Sequence, residues 1–127
     1  MIDKTEHNKK FIMNYVMQIN NDPSEATMRK HTDNESYIKS VLAFRKAFPD
    51  YVVFIEDITA EDDFVITHGI FIGTHKGDLM GLPPTFKKVE FPAMVKYQVV
   101  NDKIINAWPM SDQITLMEQL GVLNKPI

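Results

Sequence analysis

No cysteine occurs anywhere in the 127-residue chain, so disulfides, thiolate nucleophiles and cysteine-based zinc sites are all excluded. Glycine is scarce, with five residues in all, and none belongs to a nucleotide-binding loop. The orders G-x-G-x-x-G and G-x-x-x-x-G-K-[ST] are missing, as are G-x-S-x-G and H-E-x-x-H. Hydride transfer, phosphoryl transfer and serine hydrolysis therefore have no support in the sequence. No apolar run approaches the roughly 20 residues that cross a bilayer, and the opening MIDKTEHNKK is charged, with no apolar signal core. An excess of one charge is lacking too. Lys and Arg number 14 against 17 Asp and Glu, a net charge of −3, which offers no broad attraction to phosphate backbones. The nearest basic stretch, Lys87-Lys88, is too short to act as one. The expectation is a cytoplasmic protein with neither nucleic acid nor membrane as partner.

What is present is an ordinary globular composition, 44% hydrophobic and 24% charged, which argues against disorder. With no repeat, low-complexity tract or linker, residues 1–127 are expected to form a single domain. The first third has helical spacing. Phe11, Tyr15 and Ile19 recur every four residues with Ile12 and Val16 beside them, predicting a helix over 3–20. Pro23 ends it, Ser24–Met28 adds a turn, and Asn34 or Asp33 caps a second helix over 35–48, with Tyr37, Val41, Leu42, Phe44 and Phe48 in helical register.

From Tyr51 the period changes to two. Strands are predicted at 51–59, 64–75, 87–100 and 103–110, joined by polar turns at Glu61-Asp62-Asp63 and Asn101-Asp102. A last helix over 112–120 closes on Gly121. Helices first and a mostly antiparallel sheet afterwards means an α+β fold, in which a twisted sheet wraps an amphipathic helix into a cone with an apolar mouth. Nearly both strand faces are apolar. One is expected to meet the helices and the other a second subunit, giving a homodimer or a higher homo-oligomer through the sheet face.

Several side chains are candidates for chemistry, each with a plain structural alternative. Asp112 sits where an apolar strand meets a helix, with Trp108 and Met110 preceding it on one strand face as apolar walls. A desolvated carboxylate there would serve as acid or base; otherwise it is simply an acid in the first turn of a helix, with Ser111 as cap. His68 lies among Phe64, Ile66, Ile70 and Ile72, so it is expected to point into an apolar space and touch ligand, or to be a satisfied core histidine. His75 faces the opposite side and reads as structural, bonding the bend that follows. Tyr15, beside Phe11, offers a phenol that would stabilise a developing enolate, or a core residue with its hydroxyl at the rim. His31, beside Asp33 in a loop, is placed to close the pocket mouth. No spacing delivers three converging metal ligands, so neither metal nor organic cofactor is expected.

From Tyr37 to Gly121, about two-thirds of the chain, the sequence resembles the SnoaL-like polyketide cyclases of the NTF2-like superfamily. The resemblance rests on Ala47-Phe48-Pro49-Asp50 before the first strand, then Gly73-Thr74-His75-Lys76-Gly77, then Gly81-Leu82-Pro83-Pro84-Thr85, and finally Trp108, Asp112 and Gln119-Leu120-Gly121 in that order. It implies a curved sheet enclosing a pocket, usually in a homo-oligomer, and ring closure by intramolecular aldol condensation without metal or cofactor. It also implies that Asp112 is the acid/base. His68 stands where relatives often carry Arg, and Thr85-Phe86-Lys87 where they have T-G-K. Asn106-Ala107-Trp108-Pro109 replaces a more polar E-H-W-D, and the connection from Asn21 to Asn34 is short. These departures imply a smaller, more apolar site, suited to a small apolar or aromatic carbonyl compound bound by Tyr15, Phe11, Trp108, Met110 and His31 with Asp112 and His68 as catalytic groups. The alternative is a non-catalytic binding or dimerisation module of the same fold.

Overall fold

The computed structural model describes residues 3–122. Its elements follow the expected order: α1 (Lys4–Asn21), α2 (Glu25–Arg29), α3 (Glu35–Ala47), β1 (Val52–Glu61), β2 (Phe64–Thr74), β3 (Lys88–Val100), β4 (Lys103–Ser111) and α4 (Gln113–Leu120). Each of the first three helices starts on a side-chain oxygen that satisfies a free backbone donor. Asp3 accepts from the Glu6 N–H, Ser24 from Thr27 and Asn34 from Tyr37. The periodic apolar residues of α1 (Ile12, Tyr15, Val16 and Ile19) are its buried face, each contributing about 1.5–3 kcal/mol when sealed from water.

The four strands form one antiparallel sheet in the order β1-β2-β3-β4. Asn101 and Asp102 both adopt positive φ, 50° and 58°, the two-residue hairpin geometry that matches the twist of the flanking strands. A β-bulge interrupts the β1–β2 register between Ile55 and Asp57, facing Gly69 and His68. Gly69 permits it: a Cβ there would lie 2.1 Å from the Phe54 carbonyl oxygen. The β2–β3 register meanwhile runs unbroken through Gly73, paired with Val89.

The connection 75–87 folds back over the end of α3, where Lys76 and Gly77 donate to the Ala47 carbonyl at 2.9 and 3.2 Å. His75 is wholly buried. Its Nδ1 accepts from the Thr85 N–H at 3.1 Å, the structural role expected of it.

Period-two alternation divides the sheet cleanly. Inward lie Val53, Ile55, Ile58 and Ala60 of β1; Val65, Thr67, Gly69 and Phe71 of β2; Phe91, Ala93, Val95 and Tyr97 of β3; and Ile104, Ala107, Pro109 and Ser111 of β4. Two buried clusters form behind this face. One joins α1, Met28, Tyr37 and Ile38 to Val65, Tyr97, Val99 and Ile104. The other joins Phe48 and Tyr51 to Phe71, Phe91 and the α4 residues Leu116 and Leu120. α4 ends on Gly121 in the left-handed conformation, φ 81°, as a helix C-terminus favours.

Candidate functional site

The two clusters are bridged by the half-buried Val53 of β1. Between them, enclosed by α1, α3 and the inner sheet face, lies a cavity of about 510 Å³ open to solvent on one side. Its α3 wall is Tyr37, Ser40, Val41 and Phe44; α1 adds Val16 and Ile19; the sheet contributes Val53, Thr67, Phe71, Phe91, Ala93, Val95 and Tyr97. The mouth is formed by Met94, Pro109, Met110, Ser111 and Gln113. Small inward residues at Ser40, Thr67, Gly69 and Ala93 leave the space that larger side chains would fill. No Asp, Glu, Lys, Arg or His is among the lining residues, so the walls are apolar with a few neutral hydrogen-bonding groups, as expected of a small-molecule pocket.

Those groups are mainly phenols. The Tyr15 and Tyr37 hydroxyls lie 2.7 Å apart in the core, and the Tyr97 ring meets Tyr15 edge-on with centroids 6.2 Å apart. Burial pushes the pKa of all three well above the ordinary phenol value, so they stay protonated and act as donors. Tyr51 is different. The Arg45 guanidinium carbon sits 3.4 Å over its ring, while the other partners in its layer are Phe71, stacked at 4.6 Å, and Phe91, stacked on Phe71 at 4.7 Å. This aromatic wall is rigid and electron-rich, with a cation behind it.

The structure brings together only some of the residues singled out from sequence. Asp112 is fully exposed, and it is itself the N-cap of α4 rather than a first-turn residue capped by Ser111. Its Oδ1 accepts from the Thr115 N–H at 3.0 Å and its Oδ2 from the Thr115 hydroxyl at 2.7 Å. These two bonds hold its carboxyl below the usual carboxylate range. Its neighbours Ser111 and Gln113 line the cavity mouth, which puts Asp112 at the rim. The expected walls of indole and thioether are absent, because Trp108 and Met110 pair with Lys96 and Met94 on the outer face. Trp108 is 47% exposed and packs with Phe64 across 6.3 Å and under Lys96. Met110 is 75% exposed and reaches only the mouth.

His68 is also corrected. Its neighbour Thr67 faces the cavity, so alternation turns His68 outward, where its Nδ1 meets Asp57 at 3.0 Å. Tyr15 has no exposed surface and stands behind Tyr37 rather than in the cavity wall. His31 is buried with Nδ1 on the Thr27 carbonyl at 2.9 Å, and its ring lies 5.7 Å from Phe11 and 5.1 Å from Tyr15. Tyr15, Phe11 and His31 thus form one cluster beneath the cavity rather than its lining. Tyr37, Tyr97, Thr67 and Ser40 take the places that sequence reasoning assigned elsewhere. Strand parity would have found Thr67 and Tyr97, had the inner face been known. Among the described residues, no group of three or more His, Asp or Glu converges as a metal site would, and no helix is long and apolar enough to cross a membrane.

With this geometry in place, comparison with known proteins is informative. A family model described as SnoaL-like polyketide cyclase matches residues 6–120. No curated protein sequence matches the chain. Solved structures do. A SnoaL-like polyketide cyclase from Jannaschia sp. CCS1 superposes with a TM-score of 0.84 at 17% identity, covering 98% of each chain. AclR from Streptomyces galilaeus, described as a candidate hydroxylase, gives 0.83 at 23% identity over 98% of this chain and 87% of its own. IdmH from Streptomyces antibioticus, described as a candidate polyketide cyclase, gives 0.74 at 24% identity over 91% and 99%. At these identities the superpositions establish the NTF2-like α+β cone and nothing about chemistry. Folds of this kind host different reactions.

Proposed function

The chain belongs to the SnoaL-like polyketide cyclase family, and from that membership and its cavity we propose that it performs cofactor-free acid/base chemistry on a small apolar carbonyl compound, as a cyclase, lyase or isomerase. The observation that carries the reading is an apolar cavity of about 510 Å³ with phenols in its wall and, between its mouth residues Ser111 and Gln113, the carboxylate residue Asp112. The volume suits a one- or two-ring compound better than a long chain.

Asp112 is the acid/base in this proposal. Each carboxylate oxygen accepts one bond from Thr115, and an ionised carboxylate offers about four acceptor positions, so both oxygens keep a free lone pair. In a ring closure, Asp112 takes the proton from a carbon beside a carbonyl. The resulting enolate carbon bonds to a second carbonyl carbon, and the alkoxide so formed takes the proton back from Asp112. A carboxyl held at low pKa is a weak base. It therefore suits a C–H made acidic by two carbonyls or by a carbonyl and an arene.

Asp112→Asn tests this with unusual clarity, because asparagine caps a helix about as well as aspartate. The melting temperature should stay near that of the parent protein. Exchange of the α-protons of 2-tetralone in D₂O, followed by proton NMR, should slow by roughly two to four orders of magnitude relative to the protein-catalysed rate. A near-parental rate would remove Asp112 from the chemistry. One observation favours the rival reading of a non-catalytic binding module: the Thr115 bonds give Asp112 a complete structural job. Under that reading, ligand affinity and everything else about the variant would be unchanged.

We also propose a homodimer, or higher homo-oligomer, through the outer sheet face, in the cytoplasm. Phe54, Ile66, Met94, Trp108 and Met110 are all exposed there, between 36% and 75%, and apolar surface of that extent marks an interaction site. Ile66→Glu places a charge within it. Sedimentation velocity should show the parent protein as a dimer or larger and the variant dissociating at roughly a hundredfold higher concentration. A monomeric parent protein would sink the proposal.

A further inference from the structure

Among the described residues, five besides glycine adopt positive φ: Asp62, Met80, Phe86, Asn101 and Asp102. Asp and Asn are short polar residues that enter the left-handed region readily. Met80 at 45° and Phe86 at 62° have no such licence, and a bulky side chain there strains the backbone. Packing does not compensate. Met80 is 82% exposed and Phe86 70%, among the most exposed large apolar residues described. Both lie in the connection 75–87, where glycine would sit at either position without strain. The connection is held firmly. Leu79 and Leu82 exchange both backbone hydrogen bonds, at 3.0 and 2.9 Å, around the tight turn Met80-Gly81, and the Phe86 N–H donates to the His75 carbonyl at 2.8 Å. A firm loop thus keeps two apolar side chains out in water against the preference of its own backbone, which points to a surface that they enter.

Charge and hydrogen bonding say which surface. Residues 76–88 carry exposed Lys76, Lys87 and Lys88 against Asp78 alone, three lysines less one aspartate, or +2, in a chain whose total is −3. Lys76 is distant from Lys87-Lys88 in sequence, and backbone bonds of His75 with Phe86 and Lys87 bring it beside them. The loop also satisfies its own backbone. The N–H groups of Leu79, Gly81, Leu82, Thr85, Phe86 and Lys87 each find an acceptor within 75–87, and Pro83 and Pro84 have no N–H to satisfy. Such a segment leaves water without stranding its donors. We infer that the connection 75–87 docks the protein on an anionic lipid surface, with Phe86 and Met80 entering the boundary between headgroups and acyl chains and Lys76, Lys87 and Lys88 meeting the lipid phosphates. Apolar tips beside lysines are the pattern of peripheral membrane contact. A fluid interface accepts two protruding side chains without the matched shape that a folded partner would need. The expectation of no membrane partner came from the want of a spanning segment, which has no bearing on contact of this kind.

The test is co-sedimentation of the full chain with sucrose-loaded vesicles at low salt. Phosphatidylcholine vesicles containing phosphatidylglycerol should bind the protein at least about tenfold more tightly than phosphatidylcholine alone, and added salt should erase the difference. Phe86→Gly is the primary variant, because it removes the side chain and relieves the backbone together. Its affinity for the anionic vesicles should fall roughly tenfold, with a melting temperature no lower than the parent's. Met80→Gly should act in the same direction to a smaller degree. Lys76→Gln with Lys88→Gln should weaken binding to the anionic vesicles and leave the neutral ones unaffected; Lys87 is kept because its Nζ also reaches the Leu120 carbonyl at 3.4 Å. A parent protein that ignores anionic vesicles would overturn the proposal, and a stable Phe86→Gly would then assign the loop to a protein partner. Binding that survives Phe86→Gly sinks it as well. So does a fall in that variant's melting temperature, which would make the side chain structural. A lower sedimentation coefficient for lipid-free Phe86→Gly would mean that the loop meets a second copy, and would equally reject a lipid surface. None of these measurements uses the cavity, Asp112 or the outer sheet face, so they succeed or fail apart from the proposed function.

Discussion

The two faces of the sheet are built from the same alternation and end in different roles. On the inner face, Thr67, Phe71, Ala93, Val95 and Tyr97 line a space that α1 and α3 roof over. On the outer face, Phe64, Ile66, His68, Met94, Trp108 and Met110 meet no other part of the described chain as a roof, and several remain largely exposed. Both faces are apolar, yet only one is enclosed. The difference is a matter of volume, not hydrophobicity: small residues on the inner face leave room beneath the helices, while bulky ones outside make a convex surface that invites a partner. Polar chemistry separates along the same line. The inner face has neutral phenols and hydroxyls; the outer face has the His68–Asp57 pair and Lys96 over Phe64 and Trp108.

The most forceful way to break this comparison is to place the same charge on adjacent residues. Thr67 is 5% exposed and faces inward, so Thr67→Lys puts an ammonium into an apolar wall with no carboxylate to pair it. A loss of about 3–5 kcal/mol is expected. His68→Lys places an ammonium beside Asp57 on the exposed face and should change stability by no more than about 0.5 kcal/mol. Urea denaturation, at a concentration low enough to keep copies apart, measures both. Comparable losses in the two variants would mean that the assigned faces are wrong.

A smaller effect comes from volume rather than charge. Ala93 points into the cavity, while Met94, next along β3, lies on the outer face and reaches only the mouth. Ala93→Phe should occupy the space a ligand needs and weaken naphthalene binding, read by fluorescence titration, by roughly a hundredfold, at a stability cost near or below 1 kcal/mol because the site is open rather than packed. Met94→Phe should leave affinity within about threefold. Equal effects would show that the probe binds elsewhere.

This contrast also explains what could be read from sequence and what could not. The order of elements, the cap of α3 and the strand parity were legible; the cap of α4 was not, since Ser111 was expected where Asp112 stands. Each legible feature depends on neighbours within a few residues: Asn34 before α3, the Asn101-Asp102 hairpin, the odd and even residues of β3. The family resemblance reached further and gave the cone. Which parity faces inward was not legible, because residues 64–72 are apolar on both sides, and choosing wrongly sent His68 and Trp108 into the pocket. The phenol pair was hidden for another reason: Tyr15 and Tyr37 come from α1 and α3, and nothing local signals that their hydroxyls meet. Asp112 was ambiguous in kind, since a carboxylate that begins a helix and one that performs chemistry have the same sequence signature.

Asp112 belongs to neither face, and the most delicate prediction uses that position. Its carboxyl lies below the ordinary range because of the Thr115 N–H first and the Thr115 hydroxyl second. A depressed folded-state pKa adds stability that is present above the unfolded pKa and lost as pH falls through the folded one. Thr115→Val removes the hydroxyl bond and keeps the backbone bond. The Asp112 pKa should therefore rise toward its ordinary value, and the acid loss of its contribution should begin at a higher pH. Titration of the Asp112 carboxyl carbon by NMR reads this directly, and an unmoved midpoint would show that the hydroxyl has no hold on it. The same variant separates the capping role from the chemical one. At neutral pH the carboxylate stays ionised in both proteins, so a higher pKa means a stronger base and one more free lone pair. If Asp112 takes a proton from substrate, α-proton exchange in Thr115→Val should change by a small factor, within about threefold and upward; if it only caps α4, the exchange rate has no reason to follow its pKa.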